Sequence, residues 1–225
     1  MRYYGLQTKK HTEPLDKFIH DNYIKDSFND GSFLEMGAVD GIRLTNTKFF
    51  EDNMGFNQGV LIEADPEPFK SLQVNRPNCE CFNYVVHSEK KEVEFLTHKN
   101  AVLGCVNHEE SKRHREIFHE NKRHEGKSFK KILPAERLGV ILSKTKLKYI
   151  DFWSLDVEGS ELQSLNSMDW TIPVGLIVVE NTANTGTIHN IMVEQGFTLI
   201  EQRVGDGFYF NFDYFRKDMF SIEEK

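Results

Sequence analysis

The stretch Phe33-Leu34-Glu35-Met36-Gly37-Ala38-Val39-Asp40-Gly41 decides how the chain is read. Ser32 to Met36 reads as a short buried strand, and it runs straight into a turn opened by Gly37. Glycines let such a turn bend tightly and bring its backbone close to a ligand. In open α/β sheets that is where ligands bind, at the carboxyl ends of the strands. The spacing here is G-x-x-x-G, not the G-x-G-x-x-G of dinucleotide-binding turns. Acids at Glu35 and Asp40 would repel a pyrophosphate, so the loop favours a ligand carrying positive charge.

Working outward, the same kind of strand recurs. Gly59 to Glu63 is a second apolar run, followed by Asp65-Pro66, a helix-start signal. Cys81 to Val86 reads as a third strand and Glu92 to Leu96 alternates like a fourth. Tyr149 to Asp156 is another, and Val174 to Glu180 is the most continuously apolar, as a strand covered on both faces should be. Helical patterns lie between them. Residues 12–27 place Leu15, Phe18, Ile19 and Tyr23 on one side, and Asn46 to Met54, Glu161 to Leu165 and Ile188 to Gln195 read likewise. This alternation predicts a mostly parallel sheet with helices on both faces. Phe197 to Arg203 and Phe208 to Phe212 flank Gly205-Asp206-Gly207 and predict an antiparallel hairpin at the end of the chain. The expected organisation is a single domain over 1–225, with 1–30 as an N-terminal helical cap and 97–131 as an inserted charged segment.

The chain has 225 residues, with 28 basic against 35 acidic side chains and a net charge of −7. The composition is that of an ordinary globular domain. The acidity argues against nucleic acid as a whole-surface partner. There is no apolar run of about 18–20 residues for a membrane span, and the first residues show no secretory apolar region. The three cysteines, Cys79, Cys81 and Cys105, fit neither a disulfide framework nor a zinc spacing. The expectation is a reduced, cytoplasmic protein with no membrane contact.

The strand ends concentrate acids. Glu63-Ala64 follows the second strand, where a carboxylate can accept both hydroxyls of a ribose; otherwise Glu63 caps the next helix through its dipole. Asn83 could read an adenine edge, and His87 sits just past the third strand. Asp156-Val157-Glu158 and Glu180-Asn181 end the next two strands, and carboxylates there are costly unless paired or used. The insert carries His108, His114, His119 and His124 among many charges. It reads either as a solvated charged helix or as a lid over the substrate. Its histidine spacing is not that of a metal motif.

These blocks together resemble FkbM-type methyltransferases. The resemblance is carried by Phe33 to Gly41, Thr45-Asn46-Thr47, Phe50-Glu51, Leu61 to Pro66, Asn75-Arg76-Pro77 and Asp151 to Glu161, in order, over roughly residues 30–200. It implies a Rossmann-like class I fold with a mostly parallel seven-stranded sheet, and S-adenosyl-L-methionine as cofactor. It further implies methylation of hydroxyl oxygens of sugars or polyketide-like compounds. Carried over, Glu35, Gly37, Ala38, Asp40 and Gly41 would wrap the methionine part of the cofactor. Asn46 would fix the glycine loop, Glu63 and Ala64 would meet the ribose, Asn83 would lie near adenine, and Asp156 would also face the cofactor. The family often has a small residue and then Ser-Asp after the third strand; here the chain reads Val86-His87-Ser88-Glu89.

A sugar hydroxyl needs a base within about 3 Å to accept its proton. The candidates are Asp156 and Glu158 first, then His87, whose ordinary pKa suits the task. Asp156 with Glu180 and Asn181 also resembles the ligand set of metal-dependent class I O-methyltransferases, whose hard oxygens suit Mg or Mn. The expected partner is a carbohydrate or glycan acceptor. The alternatives are methylation of an RNA cap ribose, using the basic residues of 112–131, and a cofactor-binding scaffold without catalysis.

Overall fold

The computed structural model describes residues 1–5, 13–24, 30–180, 185–203, 205–214 and 216. In chain order the first elements are α1 (Leu15–Asn22), β1 (Gly31–Met36), α2 (Lys48–Asn53), β2 (Phe56–Ile62), α3 (Pro66–Asn75), β3 (Glu80–Phe82) and β4 (Val85–Val86). Next come β5 (Glu92–His98), β6 (Cys105–Val106), α4 (Lys112–Phe118), β7 (Ser128–Glu136) and α5 (Leu138–Leu142). The chain continues through β8 (Ile150–Leu155), α6 (Glu161–Ser167), β9 (Val174–Glu180), α7 (Thr185–Glu194), β10 (Thr198–Arg203) and β11 (Asp206–Phe210).

Seven strands make the main sheet in the order β10-β11-β9-β8-β1-β2-β3. β3, β2, β1, β8 and β9 are parallel, and β11 and β10 close the edge antiparallel. The sheet is apolar on both faces because successive side chains alternate. On one face Leu34, Met36, Trp153 and Ile177 pack with Leu138 of α5, Leu165 of α6 and Met192 of α7. On the other, Phe33, Phe152 and Phe208 pack with Ile19 of α1, Phe50 of α2 and Leu72 of α3. Asp65 caps α3, accepting the Glu67 N–H at 3.2 Å, with Pro66 at the first helical position. This is the expected fold, with its C-terminal hairpin. Among the described residues no helix is long and apolar enough to cross a membrane.

Two elements differ from the sequence reading. The expected third strand is split. Only Glu80–Phe82 joins the main sheet; Asn83 then turns away, donating to the carbonyls of Glu63 (2.8 Å) and Ala64 (3.0 Å). Val85–Val86 instead joins a second sheet, ordered β4-β7-β5-β6. The charged insert is part of that sheet and not one long helix. β7 pairs antiparallel with β5 from Ser128 opposite His98 to Pro134 opposite Glu92. On one face of β7, Leu133 and Ala135 pack on Val85, Val93, Phe95 and Val106 and Lys131 meets Asp65 at 3.4 Å; Ile132 lies exposed on the other face. Only α4 is helical among the residues read as a charged helix, apart from a 3-10 turn at Lys122–His124.

Candidate active site

The carboxyl ends of β1, β2, β8 and β9 open onto a cavity of about 370 Å³. The second sheet walls it with Phe95, Leu103 and Val106, beside Tyr84, Val85 and Val86. Gly37 lies at φ +78°, and a Cβ there would overlap the carbonyl oxygen of Asp156. The N–H groups of Gly37 and Ala38 donate to the Ile62 carbonyl at 3.1 and 3.2 Å. The loop is thus pinned between the ends of β2 and β8. Glu63 lines the cavity and accepts the N–H of Val39 (2.8 Å) and of Asp65 (2.7 Å). Burial pushes its carboxyl up to about 7. Asn46 also lines the cavity, its amide donating to Ser154 Oγ at 3.0 Å, and so do Gly37 and Ala64.

Several residues expected at the ligand lie elsewhere. Glu35 is buried on the Phe33 face of the sheet, off the cavity lining. It accepts from Asn46 N–H (2.8 Å), Thr45 Oγ1 (2.6 Å) and Thr47 Oγ1 (2.7 Å), with Arg76 Nη1 at 3.7 Å. Its place is inside the scaffold of the glycine loop. Ala38 is buried beneath that loop. Asp40 closes its own turn, accepting from Ile42 N–H (3.0 Å) and Arg43 N–H (2.7 Å), and faces a separate groove. Gly41, at φ +76°, packs on Arg76 and Leu72. Asn83 spends its amide on the end of β2. His87 is buried with Nδ1 accepting the N–H groups of Glu89 (3.1 Å) and Lys90 (3.2 Å). Burial lowers its pKa, and His87 is not among the residues that line the cavity.

The floor is made of carboxylates. Asp156, Glu158, Glu180 and Asp206 all line it. Carboxylate oxygens of Asp156, Glu158 and Glu180 lie within 4.8 Å of one another. Asp156 and Glu180 are hydrogen-bonded and so share a proton. Desolvation, then the charges of Glu158 and Asp206, hold Asp156 well above the usual carboxylate range. The Asp156 charge, then desolvation, raises Glu180 further. Asp206, flanked by Gly205 and Gly207 in the sequence, is a strand residue and not the middle of the turn. The hairpin closes earlier, pairing Arg203 with Asp206, and sets Asp206 opposite Glu180. Burial pushes Asp206 up to about 7, against the pull of Arg203. The glycine on either side of Asp206 hid this strand position.

Glu158 sits at φ +54° and meets His114 Nδ1 of the insert at 2.7 Å. Glu161, absent from the sequence-based site, is buried and accepts the N–H groups of Val157 and Gly159, each at 3.1 Å. It holds the loop that aims Asp156 and Glu158. Arg76, whose segment the resemblance included without a role, is fully buried and donates to Glu51, to the Gly41 carbonyl (3.2 Å) and to Thr47 Oγ1 (3.1 Å). Asn181 lies outside the described residues. The oxygens of Asp156, Glu158 and Glu180 form a hard donor set of the kind that suits Mg or Mn.

A parallel sheet in this strand order, with a glycine loop after β1 and an acid after β2, is the architecture of class I S-adenosylmethionine-dependent methyltransferases. A family model described as the methyltransferase FkbM domain matches residues 35–201, and the chain belongs to that family. Two solved structures are similar in fold. One is TrmK of M. capricolum in complex with the natural cofactor product S-adenosyl-homocysteine. It shows 10% identity and a TM-score of 0.45, with 98% of this chain and 74% of that chain covered. The other is methyltransferase FkbM from Methylobacillus flagellatus KT. It shows 13% identity and a TM-score of 0.47, with 83% of this chain covered and 44% of that longer one. No curated protein matches the chain.

Proposed function

We propose that the protein is an O-methyltransferase that uses S-adenosylmethionine to methylate a hydroxyl of a sugar or glycan. The observation that carries this reading is the proton-sharing pair Asp156 and Glu180 on a cavity floor that also holds Glu158 and Asp206. The cofactor fits the residues present. The cavity volume is within the range of small-molecule sites, about 300–1,000 Å³. The backbone of Gly37 leaves a cradle that a Cβ would fill, and Glu63 offers a carboxylate at the end of β2. Gly37, Val39, Asn46, Glu63 and Ala64 would hold it, with the wall of Tyr84, Val85 and Val86 for its base. When bound, the cofactor supplies a methyl group made electrophilic by a sulfonium, a cation that carboxylates favour.

The chain's own residues do the rest. The Asp156–Glu180 pair accepts the proton of the acceptor hydroxyl, which is a poor nucleophile until that proton leaves. The second sheet covers the floor and excludes water. Among the described lining residues none is Lys, Arg or His. A polyanionic RNA would be repelled from such a floor, whereas a neutral sugar would not. A scaffold without chemistry gains nothing from strongly perturbed carboxyls in a cavity, which are a mark of working sites.

Methyl-labelled S-adenosylmethionine, offered with panels of glycans and RNAs, tests the reading. Label recovered on a sugar oxygen, and lost with Glu180→Gln, supports it. Label on RNA overturns the acceptor assignment. Tight binding of the cofactor product with no acceptor methylated from either panel favours the scaffold.

A further inference from the structure

A second cluster lies in the insert. Cys105 belongs to β6, His114 to α4, and His119 caps the end of α4. One donor atom from each lies within 4.8 Å of the other two. The two imidazoles are aimed alike. Nε2 of His114 and Nε2 of His119 both reach the Leu103 carbonyl, at 3.1 and 2.6 Å. Their other nitrogens are held from behind: His114 Nδ1 by the Glu158 carboxylate at 2.7 Å, and His119 Nδ1 by Ser128 Oγ at 2.9 Å. A ring nitrogen held by a carboxylate or hydroxyl is the outer-shell arrangement of histidines that bind metal, and a bound ion would take the place of the Leu103 carbonyl at the opposite nitrogens. The third donor is the thiol of Cys105, which is buried.

We propose that Cys105, His114 and His119 bind a zinc ion, with a water in the fourth position. One sulfur and two imidazole nitrogens are donors for zinc and not for magnesium or calcium. His98 and His124 pair with each other at 3.2 Å and stand beside the ligands. The donors are spread over separate elements of the insert, so spacing along the chain does not reveal them. The ion would tie β6 and the Leu103 turn to α4. Through His114 and Glu158 it would fix the wall of the cavity to its floor. The proposal is independent of the acceptor assigned above.

Metal content of the full-length protein, expressed with added zinc and measured by elemental mass spectrometry, tests it. The expected result is about one zinc per chain, lost in Cys105→Ser and in His119→Asn and kept in Glu180→Gln. Titrating wild-type protein freed of metal with Co²⁺ should give a thiolate-to-cobalt charge-transfer band, a reading that does not depend on any variant folding. A wild-type protein with no stoichiometric zinc and no such band overturns the site. So does an ion kept by Cys105→Ser and lost by Glu180→Gln, which would place it on the acidic floor.

Discussion

Gly37 and Asp156 touch across the seam between β1 and β8: the missing side chain of the glycine is filled by the carbonyl oxygen of the aspartate. That contact brings the glycine loop and the acidic floor to one cavity. Gly37→Ala would meet backbone, which cannot move aside, at a φ of +78° that side chains rarely adopt. Left-handed strain alone costs about 1–3 kcal/mol. The expected outcome is a loss of S-adenosylhomocysteine affinity by more than tenfold, or a chain that does not fold. Calorimetry with circular dichroism distinguishes the two, and wild-type affinity in a folded variant would remove the close approach from the account.

Glu63 is the acid proposed above to meet the cofactor ribose, and burial pushes its carboxyl up to about 7. Hydroxyls donate to it best when it is ionised. Affinity for S-adenosylhomocysteine should therefore rise about tenfold from pH 6 to pH 8. Glu63→Gln should weaken binding by about 10- to 100-fold through loss of charge-assisted hydrogen bonds and should abolish this pH dependence. A flat profile in the wild type would take Glu63 out of the site.

The sequence made the sheet legible because parallel strands buried on both faces are nearly unbroken apolar runs, as Val174 to Glu180 and Tyr149 to Asp156 are. It made the site legible where a residue picked out by its chemistry also faces the cavity, as Gly37, Asn46, Glu63, Asp156 and Glu180 do. Glu35 and Asp40 have the right chemistry in the right loop, but the loop itself consumes their oxygens. Which way a carboxylate turns depends on the partners the fold brings to it: Thr45, Thr47 and Arg76, ten or more residues away, for Glu35, and the backbone of its own loop, at Val157 and Gly159, for Glu161. Asp206 was hidden by its glycine neighbours, and the second sheet by a charge density that masked the alternation of Leu133 and Ala135.

Arg76 is the buried cation of that scaffold, facing Glu51 and Glu35. Arg76→Met keeps the bulk but leaves two carboxylates without their partner. Breaking a buried pair costs about 3–5 kcal/mol. Chemical denaturation should show a loss of that size, with a restored midpoint in the triple variant Arg76→Met, Glu35→Gln, Glu51→Gln. A loss below about 1 kcal/mol would show that the pairing carries little of the loop's stability.

Asp206 carries its proton up to about pH 7 in the folded chain but only to about 4 when unfolded. As pH rises from about 4 to 7, the unfolded chain releases that proton first. Stability therefore falls across this window and stays lowered above it. Glu63 and Glu161, also pushed up to about 7, act in the same direction. The melting temperature should rise as pH is lowered from 8 to 5. Asp206→Asn should raise it at pH 8, by about 3 °C if only 1 kcal/mol is recovered, and should change it little near pH 4. A lower melting temperature at pH 8 would mean that the Asp206 carboxylate is stabilised in the fold rather than strained.

In the proposed mechanism the hydrogen-bonded pair Asp156 and Glu180 is an effective base only once the proton between them has left. The rate of methyl transfer should therefore rise with pH above neutrality. The Asp156 charge is the largest cause of the raised Glu180 carboxyl, so Glu180→Gln removes the group that titrates last and leaves Asp156 to titrate on its own. Glu180→Gln should lower kcat by about 10²- to 10⁴-fold while S-adenosylhomocysteine affinity is kept, and its pH profile should level off at lower pH than the wild type's. A variant with normal kcat and normal acceptor KM would take Glu180 out of the reaction. A variant with unchanged kcat and a raised acceptor KM would make Glu180 a binding group for the acceptor hydroxyl and leave Asp156 as the base.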